Sequence, residues 1–291
     1  MKVAFIGLGT MGYPMAGHLQ LNGLDTTVFN RTMSKSLAWQ QQYKGKVAQT
    51  PKEACEQAEI VMLCVGNDND LREVCFGPDG VLTGLAPNGI LIDHTTTSVE
   101  VAKEIAAALP LQDQRFLDAP VSGGEIGAQK GELTIMVGGD KQSLEKVHSA
   151  LSCYAQSINL LGAVGAGQTC KMVNQICIAG ILQGMSEGLA LAKQSGLDLV
   201  QVKDVLKHGA AQSWQLEQRT ETISMDKFDF GFAIDWMRKD LNICLNQAQQ
   251  LGIDTPLVKL VDASYEQLQK QGYNRCDTSI LVKSIMSKDQ S

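Results

Sequence analysis

Two rhythms of apolar and polar positions run along this chain, and one replaces the other a little past its midpoint. In the first part, short apolar runs rich in strand formers alternate with stretches whose apolar residues recur at helical spacing. Strands are expected at residues 3–6, 26–29, 60–65, 89–93, 115–119, 133–137 and 157–160. Helices are expected from Pro14 past Leu19, then at 34–43, 51–58, 70–75, 98–109 and 143–151. Ser98 is placed to cap its helix, with Glu100 in the first turn. Such alternation predicts an α/β domain with a doubly wound, mostly parallel sheet. Gly162, Gly165 and Gly167 then make a loop, followed by a long helix-compatible stretch to residue 194. Beyond it only helical segments remain, at 200–208, 213–225, 234–250, 256–271 and 278–286. The expected organisation is therefore a sheet domain over 1–162 and an all-helical domain over 163–291, joined by a long helix.

The first strand runs straight into Gly7-Leu8-Gly9-Thr10-Met11-Gly12, the spacing G-x-G-x-x-G between a strand and a helix. Gly7 permits the tight turn, Gly9 lets a pyrophosphate approach the backbone, and Gly12 lets the helix pack close to the strand. The helix N-terminus offers N–H groups and a positive dipole end to an anion. Pro14 costs nothing there, since a first-turn residue has no intrahelical bond to lose. A Rossmann-type dinucleotide site is expected, completed by a ribose-reading residue about 20 positions on. Asn30, Arg31 and Thr32 end the second strand, where an acidic residue would read a free ribose 2′-OH. A guanidinium instead pairs with a 2′-phosphate. NADP(H) is therefore favoured, with NAD possible; Asp25 comes too early in the strand to reach the ribose.

The chain has 291 residues, 44% of them hydrophobic, and a net charge of -6. This is ample for a core and argues against nucleic acid as a partner. The eight cysteines include Cys64, Cys170, Cys177 and Cys244 inside apolar segments, with no C-x-x-C pair. Reduced thiols in a cytoplasm are expected. The four histidines, His18, His94, His148 and His208, form no ligand cluster, so no metal site is expected. No apolar run reaches membrane-spanning length, so no membrane partner is expected.

Four separated motifs together resemble the β-hydroxyacid dehydrogenases, the family of 3-hydroxyisobutyrate dehydrogenase, tartronate semialdehyde reductase and the glyoxylate/succinic semialdehyde reductases. The glycine loop is the first. The second is Asp118-Ala-Pro-Val-Ser122-Gly123-Gly124, whose glycine N–H groups and hydroxyl would make an anion nest. The resemblance implies that Ser122, Gly123 and Gly124 hold a substrate carboxylate. The third, Gly165-Ala-Gly167-Gln-Thr-Cys-Lys171-Met-Val-Asn174-Gln175, implies a catalytic Lys171, with Asn174 one turn on. Many relatives carry two asparagines where this chain has Asn174 and Gln175; Asn174 is favoured for substrate, and Gln175 is also within reach. The fourth, Asp235 to Leu241, resembles a K-D-L element and implies that Lys239 and Asp240 face cofactor and substrate.

By the same resemblance Thr96, after the strand ending at Asp93, reaches the nicotinamide ribose or carboxamide, and His94 is read as a loop residue. Val65, Gly66 and Asn67 follow another parallel strand and should line the cofactor, as ligands sit at the carboxyl ends of such strands. Ser213 and Trp214 are expected to line the substrate pocket, and Phe230 and Phe232 either to wall the nicotinamide or the substrate or to serve as core aromatics. The implied activity is reversible hydride transfer between NADP(H) and a small carboxylate-bearing aldehyde or hydroxy acid, with Lys171 as general acid and base, in a homodimer or homotetramer. The alternatives are a non-catalytic NADP-binding module, and a relative of the imine reductases or of 6-phosphogluconate dehydrogenase. Lys171 and Asn174-Gln175 count against these two enzyme groups.

Overall fold

The structure, a computed structural model, describes residues 1–109, 111 and 113–286; residues 287–291 of the expected helical domain lie outside them. The chain forms two compact units, Met1–Lys171 and Met172–Ser291. They divide inside a helix.

The first unit holds one sheet of nine strands: β1 (Lys2–Ile6), β2 (Asp25–Phe29), β3 (Lys46–Val47), β4 (Ile60–Leu63), β5 (Ile90–Asp93), β6 (Arg115–Asp118), β7 (Val121–Ser122), β8 (Leu133–Gly138) and β9 (Ala155–Gly162). Their order is β3-β2-β1-β4-β5-β6-β8-β7, with β9 beside β8. From β3 to β6 every pairing is parallel. β8 runs antiparallel to β6 and β7 and parallel to β9. The chain leaves β1 toward β2 on one side and returns to β4 on the other, which opens a crevice at the carboxyl ends of β1 and β4.

Both sheet faces are covered by α1 (Gly12–Leu21), α2 (Met33–Tyr43), α3 (Pro51–Cys55), α4 (Asp68–Phe76), α5 (Val81–Gly84), α6 (Val99–Ala107), α7 (Gly124–Lys130) and α8 (Lys141–Leu151). Strand β1 shows why. Val3 and Phe5 join a core with Met15, Leu19, Met62 and Ile92, while Ala4 and Ile6 join a second core with Val61, Leu63 and Leu91. A strand with two buried faces must be apolar at every position, which is the run the sequence displays.

The second unit comprises the rest of α9 (Ala166–Gln194) from Met172 on, with α10 (Leu199–Leu206), α11 (Trp214–Ser224), α12 (Ile234–Gln250), α13 (Pro256–Lys270) and α14 (Leu281–Met286). A 3-10 turn over Thr278–Ile280 leads into α14. Ala179, Leu182, Met237, Leu241, Val258, Val261 and Tyr265 form its core. Among the described residues α9 is long and apolar enough to cross a membrane by length and composition, with mean hydropathy 1.2, which corrects the sequence expectation.

Candidate functional site

The glycine loop between β1 and α1 is built as the spacing requires. Gly7 has φ +99°, and a Cβ there would strike the Cys64 carbonyl. A Cβ on Gly12 would strike Gly7 O and the Phe5 ring, so the helix approaches the strand only with glycine. A Cβ on Gly9 would meet nothing within 4 Å, so that face is open to a ligand. Met11 precedes α1, in whose first turn Tyr13 N donates to Gly9 O at 3.0 Å and Met15 N to Met11 O at 3.3 Å, so the positive end of the helix faces the open glycine. Leu8 is buried, and its N–H donates to Asn30 Oδ1 at 2.9 Å. Asn30 Nδ2 donates to Thr32 O at 3.1 Å. Asn30 therefore braces the loop, a duty its position in the sequence did not announce. Arg31 is 76% exposed and pairs with Asp70 at 3.2 Å and Glu73 at 3.7 Å. Thr32 precedes the first turn of α2. The open glycine, the helix N-terminus and an exposed guanidinium together fit a dinucleotide.

The turns after β4 and β5 are stitched to each other and to α9. Val65 N donates to Thr95 Oγ1 at 3.0 Å. Asn67, after Gly66, caps α4, its Oδ1 accepting from Asn69 N and Asp70 N. Gln168 is fully buried; its Nε2 donates to Thr95 O at 2.7 Å and its Oε1 accepts from Thr97 N at 3.1 Å, so both amide ends clamp the turn that carries Thr96. Asp118 accepts from Gly165 N at 2.7 Å and Gln168 N at 2.8 Å, tying down the first turn of α9. Burial pushes the Asp118 carboxyl up, against the amides that pull it down. His94 is a core group. Its Nδ1 meets Ala119 O at 2.6 Å and its Nε2 meets the Tyr154 hydroxyl at 2.9 Å. Burial drives its pKa down to about 4. A neutral ring donates from Nδ1 and accepts at Nε2.

The held helix places Lys171. The residue is 8% exposed, and its Nζ donates to Val121 O at 2.9 Å. Val121 and Ser122 form β7, paired to β8, and the carbonyl that holds the amine belongs to the residue before Ser122. Gly123 (φ +130°) and Gly124 (φ +61°) follow in conformations that favour glycine and turn the chain into α7. Between the expected strands at 115–119 and 133–137 the structure adds a two-residue strand and a helix start, both too short to leave a periodic signal. The serine–glycine turn and the lysine amine are brought together within the first unit.

In the second unit, α9 carries Asn174 and Gln175, and α12 carries Lys239 and Asp240. Asn174 Nδ2 donates to Gln175 Oε1 at 2.7 Å, and Gln175 Nε2 donates to Asp240 Oδ2 at 2.7 Å. Lys239 Nζ pairs with Asp240 Oδ1 at 3.2 Å. Asp240 is 2% exposed and Lys239 22%, so the pair is buried on the acid side and partly exposed on the lysine side. Trp214 begins α11 after its cap Ser213 and is half exposed. The Arg219 guanidinium lies 4.8 Å from the Trp214 ring centroid and 5.0 Å from that of Phe230. Arg219 Nε donates to the buried Asp277 at 3.0 Å, and Asp277 also accepts from Phe232 N. Trp214 and Phe230 thus back onto an arginine that sequence reading passed over. A cation beside two aromatics far apart in sequence leaves no local pattern. Gln168 left a better clue, a polar residue one turn before Lys171 on an apolar helix.

A Rossmann-type sheet with an open glycine turn, a helical second unit and a lysine held beside a serine–glycine turn define the class: a nicotinamide-dependent oxidoreductase. Comparison with known proteins narrows it. Residues 2–165 match the NAD binding domain of 6-phosphogluconate dehydrogenase, and residues 165–285 match the NAD-binding domain of NADP-dependent 3-hydroxyisobutyrate dehydrogenase. An oxidoreductase of Shewanella frigidimarina (strain NCIMB 400) is 54% identical over 284 residues, 98% of each chain. The 2-hydroxy-3-oxopropionate reductase of Escherichia coli (strain K12) is 34% identical over 98% of this chain and 97% of its own. The structure of Mycobacterium tuberculosis 3-hydroxyisobutyrate dehydrogenase with L-serine superposes with TM-score 0.87 at 28% identity, covering 98% of each chain. The chain belongs to the β-hydroxyacid dehydrogenase family, of the 3-hydroxyisobutyrate dehydrogenase type, and is an NAD(P)-dependent oxidoreductase.

Proposed function

We propose that this enzyme interconverts a small hydroxy acid and its semialdehyde with NADP(H), using Lys171 as the proton donor and acceptor. The observation that carries the reading is the 2.9 Å bond from Lys171 Nζ to Val121 O, which sets the amine beside Ser122. Bound nicotinamide supplies or accepts the hydride. Ser122, Gly123 and Gly124 hold the substrate carboxylate and so fix which carbon faces it. Lys171 gives a proton to the oxygen of the aldehyde, or takes one from the hydroxyl in the reverse direction. Asn174, Lys239 and Trp214 complete the substrate side. Gly7 to Gly12, Asn30 to Thr32, Val65 to Asn67, Thr96, Lys239 and Asp240 hold the cofactor, with Arg31 on the 2′-phosphate. The sheet domain spans 1–162 and the helical domain 163–291. The enzyme works in the cytoplasm as a homodimer or homotetramer.

Two relatives support this substrate class: one is named for 2-hydroxy-3-oxopropionate, another holds L-serine. A spectrophotometric screen of short semialdehydes and hydroxy acids with NADPH, NADH and their oxidised forms tests the reading. At least one pair should turn over, and Lys171→Ala should lose most of that turnover while still binding cofactor. Undiminished turnover in Lys171→Ala would remove the lysine from the chemistry.

A further inference from the structure

Asn174, Gln175 and Asp240 form a hydrogen-bonded row inside the second unit, ended by the Lys239–Asp240 ion pair, and its direction is set at that end. Asp240, buried and ion-paired with Lys239, offers only acceptor oxygens as a carboxylate. The group of Gln175 that faces it must therefore be the NH2, and Nε2 lies 2.7 Å from Asp240 Oδ2. Gln175 then turns its oxygen to Asn174, which must answer with its own NH2, and Nδ2 lies 2.7 Å from Oε1. An amide held by its nitrogen points its oxygen to the other side. Met237 Sδ, 3.7 Å from Gln175 Nε2, is too weak an acceptor to compete with the carboxylate.

We infer that Gln175 is a positioning residue: anchored on Asp240, it holds Asn174 by its NH2 and so turns Asn174 Oδ1 to the other side, toward the Lys171 amine, one turn back on the same helix, which exchanges the hydroxyl proton. The inference rests on the dehydrogenase reading above. It gives the two neighbouring amides different duties. Asn174 faces the reacting groups, and Gln175 acts through it.

Gln175→Met keeps the volume and removes both hydrogen bonds. Its kcat/KM for the hydroxy acid should fall about tenfold, the worth of one lost hydrogen bond, with the cofactor KM unchanged. Gln175→Glu adds a signature that mere packing would not give. When ionised, the new carboxylate faces Asp240 and cannot donate to it. When protonated, its hydroxyl donates to Asp240 and its carbonyl accepts from Asn174. Activity of this variant should therefore rise as pH falls through that titration, a limb absent from the unsubstituted enzyme. Unchanged kcat/KM in Gln175→Met, or a Gln175→Glu profile superimposable on the parent, overturns the inference. A second measurement is independent of turnover. The Asn174 side-chain NH2 resonance, assigned with Asn174→Asp, should exchange slowly with water and should move and exchange faster in Gln175→Met. An unmoved resonance refutes the row. If no hydroxy acid is oxidised by the parent enzyme, the dehydrogenase reading falls, and the resonance still decides the role of Gln175.

Discussion

At Arg31 the structure supplies resting partners, Asp70 and Glu73, that sequence did not suggest. The guanidinium is 76% exposed, and ion pairs at such positions contribute about 0–1 kcal/mol. A bidentate phosphate contact is a charge-assisted bond worth about 1.5–3 kcal/mol. On the proposed NADP(H) reading, a 2′-phosphate therefore outcompetes these two carboxylates for the guanidinium. Arg31→Asp should weaken NADPH roughly 10- to 100-fold while leaving NADH within a few-fold, as read by nicotinamide fluorescence titration. Equal weakening of both cofactors would show that Arg31 does not sense the phosphate. The glycine motif was legible in sequence because each glycine answers a backbone demand that no other residue meets. Asn30 as a brace was not legible, since its partner Leu8 lies on another element and the pairing exists only once β2 lies beside β1.

Among elements, the long strands and helices declared themselves and the short ones did not. β3 and β7 have two residues each, a single alternation of a strand pattern and too little to show a repeat. α7 hides behind Gly123 and Gly124, which read as turn residues. The reversed direction of β8 was equally hidden, because strand propensity carries no sign. Helix α9 was foreseen in length but not in how much apolar side chain it leaves uncovered. Val173, Ile181 and Leu191 are 56%, 38% and 71% exposed along it. Exposed apolar residues recurring along one helix point to a partner surface. Sedimentation of the parent protein should give a dimer or tetramer, and Ile181→Glu with Leu191→Glu should shift it to smaller species. A parent protein that sediments as a single chain would refute the assembly.

For the molecule as a whole, the most consequential buried titratable group is His94. Its ring is neutral in the fold, with a pKa of about 4 against an ordinary 6.5, because burial opposes its charge. Between those two values the unfolded chain binds a proton that the folded chain refuses. Stability contributed by the neutral ring is thus complete above about pH 6.5 and is lost progressively as pH falls to about 4. The loss should be on the order of 3 kcal/mol. Urea unfolding midpoints between pH 7 and 4 measure it, and His94→Gln should flatten that limb. An equally steep limb in the variant would assign the acid sensitivity to other groups. His94 was readable in sequence only as a residue following a strand. Its partners Ala119 and Tyr154 come from distant segments, so its burial emerges only with the sheet assembled.

The grip of the Asn30 oxygen on the Leu8 amide has an evolutionary corollary. An aspartate in that place would keep an oxygen for the amide and gain a second for a free ribose. Two substitutions, this one and loss of the neighbouring arginine, would carry an enzyme with the proposed NADP(H) use to the other nicotinamide currency, giving up only the amide's bond to the Thr32 carbonyl. A lineage could thus trade its redox pool while the substrate chemistry stayed untouched.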